Sequence, residues 1–150
     1  MVAVARRMAD GDGNGRRAVP GGGKRLLVVE DEFVIALDLQ NLLEAAGHEV
    51  VALAASVADA LALLDGDGRG DGGGDAEPGR RPPLLDGAVL DVNLRGEPAT
   101  PVADALAARG VPFVFVSGYG AAGRPPGHEA APVLAKPYSE GDLLELVGRF

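Results

Sequence analysis

Three short polar segments of this chain have the residue types and spacing for chemistry on an anionic group. They are the acidic run Glu30-Asp31-Glu32, the carboxylate Asp91 and the dipeptide Lys136-Pro137. Each follows a short apolar run directly, and so does Ser117. Polar groups that close the strands of a parallel sheet meet at one edge of that sheet. We therefore expect the acids, the hydroxyl and the amine to form a single site.

The predicted site suits phosphoryl transfer. At the ends of neighbouring strands, Asp31 and Asp91 would repel each other unless a cation lay between them. Mg²⁺ prefers carboxylates, carbonyls, waters and a phosphate oxygen as ligands. One oxygen of Asp91 could attack a phosphoryl donor as a nucleophile. Mg²⁺, the Lys136 ammonium and the Ser117 hydroxyl could then balance the charge on the phosphoryl oxygens.

Strands and helices that alternate along the chain must position these residues. Buried apolar runs predict strands over residues 24–29, 50–54, 88–90, 113–116 and 133–135. Helical spacing or caps predict helices over residues 33–46, 56–64, 102–109 and 139–148. This βα pattern, repeated five times, predicts an α/β fold: a five-stranded, doubly wound parallel sheet with right-handed crossovers.

The sequence also predicts details of the first helix and of the fourth crossover. In the first, the spacing predicts an apolar face made of Phe33, Leu37, Leu39, Leu42 and Leu43. In the fourth crossover, over residues 121–132, glycines and prolines oppose a regular helix, so we expect a short or irregular one.

The chain is predicted to hold one domain, over residues 24–150. Residues 1–23 are rich in glycine and charge and lack periodicity, which predicts a disordered N-terminal leader. Residues 65–83 contain seven Gly and four Asp in 19 residues. That is longer than the roughly 2–6 residues of an ordinary connection in α/β units, so we interpret it as a flexible insertion.

Composition excludes several classes of protein. No cysteine is present among the 150 residues, which excludes disulfides and thiolate metal sites and suits the cytoplasm. The net charge is −8, divided into +4 over residues 1–25 and −12 over the remainder. An acidic body argues against direct nucleic-acid binding. No apolar run approaches membrane-spanning length, so no membrane partner is expected.

The order of four motifs resembles the receiver domain of bacterial two-component response regulators. The motifs are Leu26-Leu27-Val28-Val29-Glu30-Asp31-Glu32, Val89-Leu90-Asp91-Val92-Asn93-Leu94-Arg95-Gly96, Ser117-Gly118 and Lys136-Pro137. The resemblance covers about residues 24–150. It implies the flavodoxin-like (βα)5 receiver fold, with the strand order 2-1-3-4-5.

The resemblance also implies a role for each matching residue. Asp91 would be the phosphoacceptor, while Ser117 and Lys136 would contact its phosphoryl group. Mg²⁺, or Mn²⁺ in its place, would be held by Asp31 directly, by Glu30 through water, by Asp91 and by the backbone carbonyl of Asn93. Pro137 matches a proline that is often cis in the family, and a cis X-Pro bond has a modest cost.

Two features depart from the usual receiver pattern. Val133 stands where the family usually has an aromatic residue that moves when the phosphoryl group is engaged. The run Pro112-Phe113-Val114-Phe115-Val116-Ser117-Gly118-Tyr119-Gly120 instead resembles a subgroup of stand-alone receivers with a PFxFATGY-like run. We therefore hypothesise that Tyr119 takes over the signalling role of that aromatic residue.

The leading hypothesis for function is a single-domain response regulator. A sensor histidine kinase or a histidine phosphotransfer protein would donate the phosphoryl group, and output would pass to a downstream protein target. The chain would be a monomer or a phosphorylation-dependent dimer, and would not be an enzyme with turnover.

Two alternatives stay open. A haloacid-dehalogenase-like, Mg²⁺-dependent phosphatase also uses an aspartate after a strand, but it needs a second acid two residues later, where this chain has Asn93. A receiver-like binding module that is never phosphorylated is the other alternative, and metal-dependent labelling would exclude it.

Overall fold

The computed structural model of the protein describes residues 2–4, 23–65 and 84–150. The main sheet has six strands: β1 (Val2–Val4), β2 (Arg25–Val29), β3 (Glu49–Ala54), β4 (Gly87–Asp91), β7 (Phe113–Ser117) and β8 (Val133–Ala135). Between β4 and β7 in the sequence, β5 (Asn93–Leu94) and β6 (Glu97–Pro98) form a separate two-stranded hairpin. The helices are α1 (Phe33–Ala45), α2 (Val57–Asp65), α3 (Thr100–Ala108) and α4 (Glu140–Gly148), with a 3-10 helix over Gly120–Gly123.

The main sheet has the order β1-β3-β2-β4-β7-β8. Strands β3, β2, β4, β7 and β8 are mutually parallel. Counted along the chain, these five parallel strands have the order 2-1-3-4-5, which confirms the predicted fold. The winding reverses between β2 and β4, and ligands in such sheets bind beyond the carboxyl ends of the two strands at that point.

Helices cover both faces of the sheet. Leu27 and Val29 of β2 belong to a core that contains buried residues of α2 and α3, while Leu26 and Val28 of the same strand belong to a second core with α1 and α4. Successive side chains of a strand point to opposite faces. A central strand that is buried on both faces must therefore be apolar throughout, which explains the uninterrupted run before Glu30.

Helix α1 departs from the predicted apolar face. Its buried residues are Ala36, Leu39 and Leu43, whereas the Phe33 side chain is 59% exposed. Phe33 lies in the first turn and lines a surface pocket beside Leu53 and Ala54, at the carboxyl end of β3. Phe33, which the sequence assigned to the apolar face, therefore does not belong to the buried face, because the helix begins at the edge of the sheet, where the ring is only partly covered.

Side-chain caps fix the starts of two helices. The Ser56 hydroxyl accepts a hydrogen bond from the Asp59 amide at 3.0 Å, before α2. Ser139 accepts one from the Asp142 amide at 3.1 Å, at the start of α4. Such caps satisfy amides that have no partner within the helix.

Two segments differ from, or lie beyond, what the sequence indicated. Residues Val2–Val4 form an edge strand that pairs antiparallel with β3, whereas the sequence predicted disorder over residues 1–23. Met1 and residues 5–22 of that leader, and residues 66–83 of the predicted insertion, lie outside the described residues. The fourth crossover is irregular, as expected, with a single 3-10 turn.

Among the described helices, none has the length and apolar character needed to cross a membrane.

Candidate functional site

The strand register brings the predicted site residues to one edge of the sheet. Asp91 ends β4 and pairs with Val116 of β7. The backbone amide of Glu30, just past β2, donates to Ala54 at the end of β3. The amide of Lys136, just past β8, donates to the Ser117 carbonyl at 2.9 Å. Five neighbouring strands, β3, β2, β4, β7 and β8, therefore end near one level, which brings the residues that close them to the same edge of the sheet.

Three carboxylates form a compact cluster at this edge. Oxygens of Glu30, Asp31 and Asp91 lie within 4.8 Å of one another. Glu30 is 4% exposed and Asp91 is 8% exposed, so two of the three are buried. The Lys136 ammonium lies 3.3 Å from Asp91 Oδ2 and 4.0 Å from Glu30 Oε1. This all-oxygen donor set, open to solvent at Asp31, fits a hard divalent cation.

Among the clustered carboxylates, Glu30 has a strongly raised pKa. Burial raises the pKa of Glu30 from its ordinary value of 4.5 to about 8, and the nearby Asp91 charge adds to the effect. A hydrogen bond from the Glu32 amide, at 3.0 Å, and the Lys136 charge oppose this rise in the pKa. Without a further cation, Glu30 therefore retains its proton near neutral pH.

The β5–β6 hairpin ties two of the carboxylates to the loop after β4. The Asn93 amide donates to Asp91 Oδ1 at 3.1 Å, and the Arg95 amide donates to Asp31 Oδ2 at 3.0 Å. The turn needs left-handed backbone at Arg95 and Gly96, and the Asn93 side chain closes it by accepting from the Gly96 amide at 2.7 Å. Sequence reasoning did not single out Arg95, although the Asn-x-x-Gly pattern after Asp91 is a turn signal.

A surface cleft of about 340 Å³ exposes most of the predicted site. It is lined by the three clustered carboxylates together with Glu32, Ile35, Val92, Asn93, Arg95, Gly118, Tyr119 and Lys136. Ser117 is not among these lining residues. Its side chain is fully buried, and its Oγ accepts a hydrogen bond from the Tyr119 amide at 2.9 Å. The three carboxylates and the Lys136 ammonium therefore share one cleft, whereas the Ser117 hydroxyl does not line it.

Of the two residues considered for signalling, Tyr119 lines the cleft, whereas Val133 packs against the core. Tyr119 is 77% exposed at its rim. Val133 of β8 pairs with Phe115 and packs, half-buried, against the core on the α2–α3 face. The Lys136–Pro137 peptide bond is cis, as the resemblance implied.

Among curated proteins, the chain is similar to the phyllosphere-induced regulator PhyR of Methylorubrum extorquens. The two are 27% identical over 143 residues, which cover 92% of this chain and 47% of that protein. The chain thus spans about half the length of the curated relative that it matches. No family model matches the chain.

Solved structures give a closer relationship. The solution structure of SdrG from Sphingomonas melonis is 36% identical, with a TM-score of 0.60, and the match covers 85% of this chain and 98% of SdrG. A response regulator receiver protein from Sinorhizobium medicae shares the fold at 23% identity and a TM-score of 0.61, and the match covers 85% of this chain and 93% of that protein. The receiver domain of PhyR from Erythrobacter litoralis shares the fold at 20% identity and a TM-score of 0.63, and the match covers 85% of this chain and 88% of that domain. The chain therefore belongs to the family of response regulator receiver domains.

Proposed function

We propose that this receiver domain accepts a phosphoryl group on Asp91 and transmits the signal through contacts with other proteins. The observation that carries the proposal is the environment of Asp91. Its carboxylate lies in a cleft beside two further carboxylates and a lysine ammonium. This combination of a nucleophile with charge-balancing groups is what phosphoryl transfer to a carboxylate requires.

The phosphoryl donor in this proposal is the phosphohistidine of a sensor histidine kinase or of a histidine phosphotransfer protein. A carboxylate oxygen of Asp91 attacks the phosphorus atom, and the P–N bond to the imidazole breaks. The bonding electron pair returns to the imidazole ring, which takes up a proton, and an acyl phosphate is left on Asp91. Lys136, already 3.3 Å from Asp91 Oδ2, would balance negative charge on the transferred group.

Mg²⁺, or Mn²⁺, is the cation that we propose for the acidic cluster. Asp31, Asp91, the backbone carbonyl of Asn93 and, through water, Glu30 would hold it. When bound, the ion would relieve the repulsion among the carboxylates and balance charge on a phosphoryl oxygen. The support for it is the carboxylate cluster itself, in which one lysine faces two buried acids.

The output of the domain is proposed to be a change in its affinity for a downstream protein. One structural neighbour, PhyR from Bartonella quintana, is described as an anti-anti-sigma factor. The match covers 46% of that protein at 19% identity, which reflects the shared fold. We propose protein binding as the output, and we do not assign the anti-anti-sigma activity of that neighbour to this chain.

The phosphatase alternative is disfavoured by the residue two positions after Asp91. An amide cannot act as a general acid, and the Asn93 Oδ1 atom accepts a hydrogen bond from the Gly96 amide. Asn93 therefore holds the turn of the hairpin. Sustained hydrolysis of small phosphate esters would revive this alternative.

The test is the intact mass of the protein after incubation with acetyl phosphate and Mg²⁺. We expect one phosphoryl adduct that is stable to acid and labile to base, is absent from Asp91→Asn and is lost when EDTA replaces Mg²⁺. Asp38→Asn, a substitution of an exposed acid on α1 that does not line the cleft, is the matched control and should be labelled normally.

A panel of histidine kinases is the second test, because a receiver domain can accept phosphoryl groups from kinases and yet fail to react with acetyl phosphate. An adduct on Asp91 from any kinase would support the proposal. No adduct from either source would contradict it and favour a receiver-like binding module that is never phosphorylated.

A further inference from the structure

We propose that Gly123 is a positioning residue that makes room for the resting Ser117 hydroxyl and so sets how readily Ser117 can reach a phosphoryl group on Asp91. This inference rests on the proposed function, because it assumes that Ser117 meets that group. It concerns the 3-10 helix Gly120–Gly123, to which the sequence assigned no role.

The Ser117 hydroxyl occupies a defined position that does not line the cleft. Its side chain is fully buried at the end of β7, and its Oγ accepts a hydrogen bond from the Tyr119 amide at 2.9 Å. Because the hydroxyl does not line the cleft in this position, we expect it to leave the position and give up that bond when it contacts a phosphoryl group on Asp91. Phosphorylation and the environment of the Tyr119 amide are therefore linked through a single side chain.

Gly123 closes the resting position of the hydroxyl from the other side. A Cβ atom at residue 123 would overlap Ser117 Oγ, and it would lie 3.2 Å from Ser117 Cβ and 3.6 Å from Tyr119 Cβ. Gly123 is not among the glycines with positive φ, so its backbone conformation is open to alanine. Glycine is needed here for space, and the space is the volume that the Ser117 hydroxyl fills.

A neighbouring glycine shows that this restriction is local. A Cβ at Gly118, one residue after Ser117, would meet no atom within 4 Å. The steric limit therefore belongs to the contact between Ser117 and Gly123 and not to the whole turn.

The consequence is a two-state arrangement that residue 123 can bias. In the resting state the hydroxyl fills the space beside Gly123 and holds the Tyr119 amide. In the other state it lies in the cleft, and the 3-10 helix and Tyr119 lose this contact. A ligand, or a substitution, that favours one state shifts the equilibrium by its differential free energy. Because Tyr119 is 77% exposed, a partner protein could detect the change at its side chain.

The test compares Gly123→Ala with Ser117→Ala by ¹⁵N–¹H NMR of the metal-free, unphosphorylated chain. Alanine at residue 123 should expel the hydroxyl, so the Tyr119 amide resonance should shift in the same direction as in Ser117→Ala, where the acceptor is absent. The matched control is Gly141→Ala in α4, where a Cβ would meet nothing within 4 Å, and the Tyr119 resonance should not move. An unshifted Tyr119 amide in Gly123→Ala would overturn the inference.

A double-substitution cycle separates this contact from general crowding. Gly123→Ala should lower the midpoint of thermal unfolding in the wild-type background and lower it clearly less in the Ser117→Ala background, where the overlapping oxygen is gone. If Gly123→Ala alone fails to fold, folding of the double variant would support the inference. Equal loss in both backgrounds, or failure of both variants to fold, would contradict it.

Labelling with acetyl phosphate gives a functional readout. Gly123→Ala should be phosphorylated about 3- to 10-fold faster than wild type, because the hydroxyl no longer has to leave a favourable position. An unchanged or slower rate would oppose the inference. The NMR and stability results do not depend on a phosphodonor, so a failure of the proposed function, seen as no adduct on Asp91 from any donor, would be recognised separately.

Discussion

The Lys136 ammonium lies between two buried carboxylates, 3.3 Å from Asp91 Oδ2 and 4.0 Å from Glu30 Oε1. The Lys136 amide donates a hydrogen bond to the Ser117 carbonyl, which fixes the backbone position from which the Lys136 side chain extends. The next peptide bond, between Lys136 and Pro137, is cis. One cation therefore faces two acids, with Asp31 adjacent, and the cluster has an excess of negative charge.

Removing the ammonium should slow phosphorylation strongly. Lys136→Met should lower the rate of Asp91 labelling by acetyl phosphate by about 10²-fold, the usual effect of losing one group that stabilises charge in a transition state. The measurement is a time course of intact mass with Mg²⁺ present. Lys136→Arg, which keeps the charge, should recover part of the rate, and a wild-type rate in Lys136→Met would contradict the assigned role.

The stability of the metal-free protein should depend on pH through Glu30. Its folded-state pKa of about 8 lies above the ordinary value of 4.5, so the folded state binds this proton more tightly than the unfolded state does. The stabilisation is fully present below pH 4.5 and is lost as the pH rises through about 8. Urea unfolding in EDTA should show this contribution as a decline in the free energy of unfolding over that window.

Glu30→Gln is the control for the pH effect. Glutamine cannot ionise, so the decline should be smaller in this variant, and at pH 8 the metal-free variant should be more stable than wild type. An identical pH profile in the two proteins would mean that Glu30 does not carry the shift.

Mg²⁺ should stabilise the folded protein through the acidic cluster. At a concentration of about ten times Kd, the free energy of unfolding should rise by about 1.4 kcal/mol. Asp31→Asn should remove most of this gain, because it takes one charge from the cluster, whereas Asp38→Asn should keep it. The measurement is the midpoint of thermal unfolding with and without Mg²⁺, and equal gains in Asp31→Asn and wild type would place the metal elsewhere.

Tyr119 should matter for output and not for folding. Its side chain is 77% exposed, so Tyr119→Ala should change the free energy of unfolding by less than about 0.5 kcal/mol. Labelling of Asp91 should persist, while phosphorylation-dependent binding of the partner protein should weaken. Tyr119→Phe separates the ring from the hydroxyl, and unchanged partner binding in both variants would reject the signalling role.

His128 should stabilise the irregular fourth crossover. Its Nε2 lies 2.7 Å from Asp104 Oδ1 on α3, and its ring packs edge-on against Phe113 and Phe115 at 5.6 and 6.1 Å. His128→Ala should lower the free energy of unfolding by about 1–3 kcal/mol, through the loss of ring packing and the hydrogen bond. Asp104→Asn, which keeps an acceptor at the same place, should cost less, and a larger loss in Asp104→Asn than in His128→Ala would contradict this division.

The sequence by itself determined the architecture and the location of the site. Apolar runs buried on both faces, each closed by a polar residue, required parallel strands with their chemistry at one edge. Glu30, Asp31, Asp91 and Lys136 could be predicted to meet because the carboxyl ends of parallel strands coincide whatever the details of packing.

Tertiary structure alone decided the state of individual groups at that edge. The Arg95 amide donates to Asp31, which is 64 residues away in the sequence. The Ser117 hydroxyl is buried beside Gly123 and does not line the cleft, and burial raises the pKa of Glu30 to about 8. The edge strand Val2–Val4 likewise gained structure by pairing with β3, in a segment whose composition predicted disorder. Periodicity reports which face of an element is buried, whereas rotamers, burial depth and pairings between distant segments depend on atoms that approach only after the elements have packed.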